Sequence, residues 1–358
     1  LSGDPYAPFT DRQLTFLKDR IRQGISRHPG YENYIRHWPV PFEQADRLED
    51  LPYLPVSIFK RTPPIALVDD SALVRIAQSS ATTGQVPSSI ALDAETTRLM
   101  SRGASAIFQS VLGKTRRPYL IVDSPGSNVS GDDISARGAA IRSLQVFTTD
   151  ATYALTDEML EPNYAALEEF QAAHGSEDVL IYGFTWILWD RFAQRLREKG
   201  VRLTLPKATV LHSGGWKKLT DQAVEPGLFK SVIADTVGCA PDRVIDFYGM
   251  IENLGIIYPD CPEGLKHPPS FGGVVIRDPV TLKSVRPGET GLLEVCSLLP
   301  TSFPGWLLLT EDLAELVYQD TCPCGRLGPA FRITGRAPKS EIRGCGDVLA
   351  RRLEKAPA

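Results

Sequence analysis

The 358-residue sequence has no run of hydrophobic residues long enough to cross a membrane. Its longest apolar stretch, Val179 to Trp189, is interrupted by Gly183 and Thr185 and falls short of the roughly 20 residues that a spanning helix needs. A concentrated basic face is also missing, because the 39 Lys and Arg residues are scattered among 43 Asp and Glu and the net charge is -4. We therefore expect neither a membrane protein nor a nucleic-acid partner, since phosphate backbones demand such a face.

Two common nucleotide-binding motifs are absent as well. The sequence lacks the Gly-x4-Gly-Lys-Ser/Thr spacing of a P-loop, and no Gly-x-Gly-x-x-Gly follows a predicted strand. A bound nucleotide would therefore need another kind of loop for its phosphates. Cysteine is scarce too, and six residues do not make a disulfide scaffold for a chain of this size. The way these cysteines cluster instead predicts reduced thiols and a cytoplasmic location.

Hydrophobic periodicity predicts an α/β fold. The chain exceeds the usual size of one domain, so we expect one large or two fused α/β subdomains. Leu14, Leu17, Ile21 and Ile25 recur at helical spacing and predict an opening amphipathic helix. Residues 29–65 are rich in proline and aromatic side chains, which predicts an irregular wrapping segment.

Strands and helices alternate from about residue 71, which indicates an α/β sheet. Beyond about residue 270 the pattern changes to strands punctuated by Gly and Pro, which predicts a smaller β subdomain. The predicted division is an N-terminal helical and wrapping segment over 1–70, a core over 71–335 that is α/β with a β-rich part from about 270, and a short C-terminal segment over 336–358. The predicted elements include the strands Val74–Ala77, Tyr119–Val122, Val179–Tyr182, Ala208–Leu211, Val244–Phe247, Gly273–Ile276, Gly291–Ser297, Leu307–Leu309 and Ala314–Tyr318, and a helix over Trp186–Glu198.

A loop of small residues follows the first of these strands. Residues 79–85 read Ser-Ser-Ala-Thr-Thr-Gly-Gln and could surround a polyphosphate with backbone N–H and hydroxyl donors. A flexible surface turn is the alternative, and for such a loop taken alone it is the commoner explanation. Other motifs must therefore decide between the two.

Further candidate residues come at the ends of predicted strands. Open α/β sheets bind their ligands at such positions, and Tyr248, Gly249 and Glu252 follow one strand closely. Tyr248 offers a flat ring for a base or an acyl group, and Glu252 offers a carboxylate for Mg2+ or, alternatively, a helix cap. Asp312 and Arg336 each come at a later strand. His212 precedes a Gly-Gly turn and is either a group that positions a carboxylate or a hydrogen-bonded scaffold histidine.

The cysteines suggest a metal site. Cys322 and Cys324 form a C-x-C pair, and Cys261 and His267 lie in another Gly- and Pro-rich connection. Three thiolates and one imidazole are a common tetrahedral Zn2+ set, and a closed set of this kind implies a structural role. Free thiols beside a surface histidine are the alternative.

The order of these motifs resembles the adenylate-forming superfamily of acyl-CoA synthetases, adenylation domains and luciferase-like ligases. In that superfamily Ser-Ser/Thr-Gly-Thr-Thr-Gly is followed by Tyr-Gly-x-Thr-Glu, Thr-Gly-Asp and Gly-Arg. Within it the sequence most resembles the acyl-protein synthetases of the LuxE type, relatives of phenylacetate-CoA ligase, from about residue 70 to 347. The stretches that carry this closer resemblance are Leu-His-Ser-Gly-Gly-Trp-Lys-Lys at 211–218, Leu-Leu-Pro-Thr-Ser at 298–302, Cys-Pro-Cys-Gly-Arg at 322–326 and Glu-Ile-Arg-Gly-Cys at 341–345.

The resemblance implies the large N-terminal domain of an adenylate-forming enzyme, with the mobile C-terminal domain minimal or missing. It implies ATP and Mg2+ as cofactors and a carboxylic acid, a fatty acid by family default, as the substrate that becomes an acyl-adenylate. The implied roles are phosphate binding by Ser79, Ser80, Thr82, Thr83 and Gly84, an adenine or acyl site at Gly214 and Gly215, stacking by Tyr248 beside Gly249, Mg2+ binding by Glu252, ribose binding by Asp312, and ribose or phosphate contact by Arg336.

The same resemblance implies that Cys345 receives the acyl group as a thioester. Cys345 lies between two glycines and beside Arg343, where exposure is expected and a neighbouring cation could lower the pKa of the thiol; a plain surface cysteine is the alternative. The acyl group would then pass to an acceptor protein such as a reductase. An acyl-CoA ligase, or a nucleotide- or acyl-binding subunit without catalysis, is the competing interpretation. The sequence departs from the superfamily pattern at Ala81, which replaces a glycine, and at Ser88, where many relatives carry lysine.

Overall fold

In the computed structural model, the described residues are 5–79, 86–128, 136–157, 160–216 and 224–337. The chain forms two units: the first comprises Leu1–Ser110 together with Gly249–Ala358, and the second comprises Val111–Tyr248. The predicted division into 1–70, 71–335 and 336–358 uses other boundaries than these two units, and it stays a prediction. None of the helices in the described ranges is long and apolar enough to cross a membrane.

Helices and strands alternate along much of the chain. Among the described residues, the α-helices are α1 (Asp11–Arg27), α2 (Pro29–Arg36), α3 (Ala94–Leu112), α4 (Ala136–Leu144), α5 (Tyr164–His174), α6 (Gln194–Glu198) and α7 (Pro226–Val237). The strands are β1 (Leu54–Pro55), β2 (Leu73–Gln78), β3 (Ser89–Asp93), β4 (Arg117–Val122), β5 (Thr148–Tyr153), β6 (Leu180–Phe184), β7 (Thr209–Ser213), β8 (Val244–Tyr248), β9 (Tyr258–Pro259), β10 (Gly272–Arg277), β11 (Thr290–Ser297), β12 (Leu307–Tyr318) and β13 (Ala330–Arg336).

The opening helix forms where the hydrophobic spacing predicts it. At its start Gln13 Oε1 accepts from the N–H of Thr10 at 2.5 Å and from the Thr10 hydroxyl at 2.6 Å, which ties the preceding residue to the first turn. Leu14, Leu17 and Ile21 are buried on one face. The segment after it is more regular than predicted, because α2 forms within residues 29–65: Pro29 stands at the helix start, where its missing N–H costs nothing, and the next turn buries Tyr31.

The second unit is built on a parallel sheet with the strand order β5-β4-β6-β7-β8. Side chains on both faces of β4, β6 and β7 are buried, as expected when helices cover a parallel sheet on both sides. Fully buried core residues such as Leu120, Ile181 and Val210 each contribute about 1.5–3 kcal/mol of burial free energy. Because all five strands run the same way, their carboxyl ends lie at one edge, which is where such sheets bind ligands.

The predicted helix over Trp186–Glu198 differs in type from the observed one. Ile187–Ala193 is π-helical, and only Gln194–Glu198 is α-helical. Ile187, Leu188 and Phe192 lie in the π-helical segment and are fully buried in the core of the second unit. Such segments are frequent at functional sites, and periodicity alone does not distinguish them from an α-helix.

The first unit contains an antiparallel sheet in which β12 pairs with β11 and with β13, and β11 pairs with β10. The short strand β1 joins the start of β12 in parallel. The two predicted strands Leu307–Leu309 and Ala314–Tyr318 are one continuous strand, Leu307–Tyr318. The polar residues between the two predicted strands have no strand pattern in the sequence. In the structure they continue the strand, and Asp312 is paired in register with Arg336 on β13.

A buried ion pair joins β10 to β11. Arg277 donates to Glu294, and both side chains are at most 6% exposed. The other guanidinium nitrogens of Arg277 donate to the carbonyl oxygens of Leu282 and Glu49, each at 2.9 Å. Burial raises the pKa of the Glu294 carboxyl, whereas the guanidinium of Arg277 acts in the opposite direction. Backbone carbonyls thus satisfy the donors of Arg277, while Glu294 Oε1 is buried without a hydrogen-bond partner.

We predict that Glu294→Gln lowers the free energy of unfolding by about 3–5 kcal/mol, because it leaves the Arg277 guanidinium buried without a counter-charge. The matched control is Glu315→Gln, which removes the same charge from a partly exposed pair on the same sheet, 3.5 Å from Arg332. Exposed pairs contribute about 0–1 kcal/mol, so the control should unfold nearly as the parent does. Calorimetric melting of the three proteins makes the comparison, and equal losses for both variants would contradict the assignment.

Candidate active site

The loop predicted to hold phosphate connects β2 to β3, which form an antiparallel hairpin with Gln78 opposite Ser89. Its base is closed by two hydrogen bonds: the Ser79 N–H donates to the Ser88 carbonyl, and the Ser88 N–H donates to Ser79 Oγ, each at 2.9 Å. The structure thus places Ser79 at the mouth of the loop. The other predicted phosphate ligands, Ser80, Thr82, Thr83 and Gly84, lie outside the described residues.

Glu252 lies next to the base of this loop. It sits in the 3-10 turn Ile251–Asn253, is 7% exposed and forms a side-chain hydrogen bond with Ser88. The turn packs closely on α3, because a Cβ on Gly255, whose φ is +88, would come within 2.5 Å of Met100 Cα. Burial raises the pKa of the Glu252 carboxyl above its ordinary value. The result is a carboxylate that a nearby positive charge would favour.

Asp312 and Arg336 form a cross-strand pair on β12 and β13. Arg336 Nε donates to Asp312 Oδ1 at 3.0 Å, with the Asp312 side chain 15% exposed and that of Arg336 76% exposed. The Asp312 N–H donates to Thr310 Oγ1 at 3.1 Å, and that hydroxyl donates to the Leu293 carbonyl at 2.7 Å. The backbone of Asp312 is therefore held by the Thr310 hydroxyl, while the Arg336 side chain extends into solvent.

The structure adds a cation that sequence reasoning missed. Lys60 Nζ lies 3.3 and 3.5 Å from the two carboxylate oxygens of Glu311. Its charge also acts on Glu252, lowering the pKa of that carboxyl, whereas the charge of Asp312 raises it. Glu252, Asp312 and Lys60 are therefore electrostatic neighbours in the first unit. In the sequence, Lys60 directly follows the mostly apolar residues 51–59, and this pattern could have indicated it.

The second unit carries the other predicted nucleotide or acyl contacts. Gly214 and Gly215 follow β7, and Tyr248 ends β8, so all three lie at the carboxyl edge of the parallel sheet. Gly214 has φ +78, and a Cβ there would come 2.8 Å from the Phe184 ring. Space is open beside Gly215, since a Cβ there would meet nothing within 4 Å. Gly249 begins the return to the first unit and is exposed.

The predicted metal ligands come together in the first unit. One ligand atom from each of Cys261, His267, Cys322 and Cys324 lies within 4.8 Å of the others. The Cys324 Sγ is 3.5 Å from His267 Nε2. With Zn–S bonds of about 2.3 Å, a tetrahedral ion separates its ligands by about 3.8 Å, so a small closing movement would complete the set.

Two similar turns present the cysteines of this cluster. In Cys261-Pro-Glu-Gly and in Cys322-Pro-Cys-Gly, the N–H of the glycine donates to the carbonyl of the first cysteine, at 2.8 and 2.9 Å. Backbone N–H groups of these turns lower the pKa of the Cys261 and Cys322 thiols, although burial raises each of them overall. Burial lowers the pKa of His267 to about 4, so its imidazole is neutral and able to bind a metal at pH 7.

The remaining predicted catalytic residue, Cys345, lies outside the described residues. The structure thus brings together Ser79, Glu252, Asp312 and Arg336 in the first unit, with Lys60 as an addition, and Gly214, Gly215 and Tyr248 in the second. The arrangement of charges in the first unit is suited to a polyanionic ligand with a divalent cation, because it offers both carboxylates and a lysine.

Solved structures of another protein share the fold of this chain. An open conformation of 2-hydroxyisobutyryl-CoA ligase, in complex with 2-HIB-AMP and CoA, matches with a TM-score of 0.65 at 18% identity, over 90% of this chain and 74% of that one. The same enzyme in its thioesterification state matches with a TM-score of 0.68 at 18% identity, over 94% and 70%. At such identities the likeness shows the fold alone, which this chain shares with 2-hydroxyisobutyryl-CoA ligase. The predicted α/β fold class is confirmed.

Sequence comparison gives the family. The acyl-protein synthetase family LuxE matches residues 1–354, so the chain belongs to that family and is an AMP-forming acid ligase. The long-chain-fatty-acid–luciferin-component ligase of Vibrio harveyi is 21% identical over 338 residues, which cover 93% of this chain and 86% of that protein. The protein of the same description from Aliivibrio fischeri is 24% identical over 194 residues, covering 52% and 49%. The family resemblance predicted from the motifs is confirmed.

Proposed function

We propose that the protein uses ATP to convert a carboxylic acid into an acyl-adenylate and then transfers the acyl group to a thiol. The observation that carries the proposal is the gathering of Glu252, Asp312 and Lys60 near the base of the Ser79–Ser88 loop. In the first step the carboxylate attacks the α-phosphorus of ATP and pyrophosphate leaves. An anion thus meets an anion, and the reaction needs positive charge and hydrogen-bond donors where negative charge develops.

The proposed roles follow from chemistry at each position. Ser79 and its loop hold the phosphates, and Lys60 contributes a positive charge where Ser88 replaces the lysine of many relatives. Asp312 accepts the ribose hydroxyls, and Arg336 steadies the ribose or a phosphate. Gly214, Gly215, Tyr248 and Gly249 line the adenine or acyl site.

Mg2+ fits Glu252, because a buried carboxylate oxygen is the kind of ligand that this cation prefers. When bound, Mg2+ supplies positive charge to the phosphates. The hydrogen bond with Ser88 and the packing of its turn on α3 fix the position of Glu252.

The acid is proposed to be a long-chain fatty acid. Two family relatives carry that substrate in their names, which supports the assignment without fixing the chain length. Aromatic acids are the alternative to be tested beside it.

The acceptor is proposed to be Cys345, with an acyl-acceptor protein such as a reductase receiving the group from the thioester. The second candidate is CoA, which is bound in the 2-hydroxyisobutyryl-CoA ligase structures that share this fold. A third candidate, a binding subunit without catalysis, would show no pyrophosphate exchange. Reduced thiols are needed for the first candidate, which supports a reducing compartment such as the cytoplasm.

We further propose that Cys261, His267, Cys322 and Cys324 hold one structural Zn2+. Three thiolates and a neutral imidazole match the donors that Zn2+ takes in closed sites. Such an ion would link the turn before β10 to the turn before β13 and would contribute to the folding of the first unit.

The adenylation step predicts the behaviour of three variants. Glu252→Ala, Asp312→Ala and Lys60→Ala should each slow ATP–pyrophosphate exchange by about 100-fold or more, because each removes a charged contact to the nucleotide or its metal. Glu315→Ala, which removes a partly exposed carboxylate on the same strand as Asp312, should leave the rate as it is. Exchange would be followed with labelled pyrophosphate across a panel of fatty and aromatic acids. A normal rate in one of the three variants would remove that residue from the site.

The zinc site predicts about one zinc per chain in protein purified without a histidine tag. Cys324→Ser should lower both the zinc content and the melting temperature, the latter by about 5 °C or more for a loss of roughly 2 kcal/mol. Cys239→Ser is the control, because Cys239 is a free thiol of the second unit. Elemental analysis and calorimetry provide the two readouts. Protein that lacks zinc and melts like the parent would favour free thiols.

The acceptor proposal predicts a labelled protein. Incubation with ATP and labelled acid should leave label on the parent chain that neutral hydroxylamine releases, as it does from thioesters. Cys345→Ser should still exchange pyrophosphate but hold no such label, because a hydroxyl is a far weaker nucleophile than a thiolate at neutral pH. If the parent stays unlabelled with every acid that supports exchange while added CoA is acylated, CoA is the acceptor.

A further inference from the structure

The cysteine and histidine cluster of the first unit has a charge to balance when it holds its proposed metal. Three thiolates around a divalent ion leave one uncompensated negative charge, because the neutral imidazole adds none. Two of the sulfur ligands are well buried, since Cys261 is 5% exposed and Cys322 is 1% exposed. A net charge in such surroundings is unfavourable unless a group of opposite sign lies near it. The site therefore calls for a cation that is not itself a ligand.

Two basic residues belong to the segments that form the cluster. Lys266 lies in the first segment, but its ammonium is paired with the Asp260 carboxylate at 3.0 Å, so these two charges offset each other. Arg326 lies in the second segment, two positions after Cys324. Its carbonyl oxygen accepts from the Cys322 N–H at 3.0 Å, which closes the turn that presents both of these cysteines. Arg326 is thus the better candidate for the balancing charge.

The guanidinium of Arg326 is held on an aromatic ring beside the cluster. Its Cζ lies 3.6 Å from the centroid of the Tyr6 ring, which is a close cation–π contact. Burial lowers the pKa of His267 and the charge of Arg326 lowers it further, so the guanidinium and this imidazole are electrostatic neighbours. The Arg326 Nη1 is buried and has no hydrogen-bond partner among the described residues. A buried charged donor without a partner is destabilising, and a negative group close by would reduce that cost.

We propose that the Arg326 guanidinium is the counter-charge of the metal–thiolate cluster and raises its affinity for Zn2+. The inference rests on the proposed zinc site and goes beyond it, because a set of four ligands does not by itself require a cation. Arg326 acts on the ion through the thiolates and is a positioning residue, not a ligand. The negative charge of the loaded cluster in turn offsets the burial of Nη1.

A purely structural role for Arg326 leads to a different expectation. If the residue only packs on Tyr6, any replacement of the planar guanidinium should disturb that contact, and lysine should be no better than a neutral side chain. If the positive charge is what matters, lysine should preserve the affinity for zinc and a neutral side chain should not. A comparison of the two replacements therefore separates the roles.

The experiment measures zinc affinity on the full chain at neutral pH, by competition with a chromogenic chelator, in the parent, Arg326→Gln and Arg326→Lys. Arg326→Gln should raise the dissociation constant for Zn2+ by about tenfold, which is within the usual effect of losing a contact outside the ligand set. Arg326→Lys should stay within about threefold of the parent, because lysine keeps its positive charge at this pH. The readout does not depend on the activity of the enzyme.

The matched control is Arg332→Gln, which removes the same charge from an exposed arginine of the same unit, 3.5 Å from Glu315. It should leave the zinc affinity unchanged. If Arg326→Gln does not fold, Arg326→Met decides, because its apolar chain can pack on Tyr6 and leaves no donor buried. The same loss of affinity is expected from this variant.

Equal losses of zinc affinity in Arg326→Gln and Arg326→Lys would overturn the inference, because the loss would then follow the shape of the side chain and not its charge. Unchanged affinity in the neutral variant would overturn it as well. Parent protein that binds no zinc would instead overturn the proposed zinc site, and the role of Arg326 with it.

Discussion

The hydrogen bond between Glu252 and Ser88 is the contact on which the candidate nucleotide site depends. It ties a buried carboxylate to the base of the β2–β3 loop, and burial raises the pKa of that carboxyl because a charge is poorly solvated there. Lys60 acts in the opposite direction, because its positive charge lowers the pKa of that carboxyl. The loop base, the metal-binding candidate and the cation are therefore parts of one electrostatic arrangement. Asp312 belongs to the same arrangement with the opposite sign, which suits a site that must hold both a polyphosphate and a divalent cation.

The second unit has polar side chains close together at one edge of its parallel sheet. Its parallel sheet brings the ends of β6, β7 and β8 to one edge, so that Thr185, His212 and Asp246 come from three separate strands or the turns after them.

Stability in the first unit rests on polar contacts as well as on a hydrophobic core. The Arg277–Glu294 pair is fully enclosed, and its remaining donors are satisfied by backbone carbonyls. The cysteine and histidine cluster lies beside buried Leu265 and Ala330, and a metal there would add bonds between its two turns. Both features link strands of the antiparallel sheet to the segments that precede them. Asp312 and Arg336 stand on that same sheet, so its integrity bears directly on the candidate site.

The sequence by itself determined the family, the α/β class and most candidate residues, because these depend on local motifs and on hydrophobic period. The spacing of Leu14, Leu17 and Ile21 was enough for α1, and two Gly- and Pro-rich connections with cysteines were enough to suggest a metal site. Only the tertiary structure decided that Lys60 acts on Glu252, that Ser88 bonds to it, and that Thr185 and Asp246 surround His212. These neighbours are far apart in the chain, up to 192 positions for Lys60 and Glu252, and no local pattern encodes a contact made by the packing of separate strands and turns. The continuous strand β12 has the same cause, since pairing with β13 across the sheet keeps its polar middle extended.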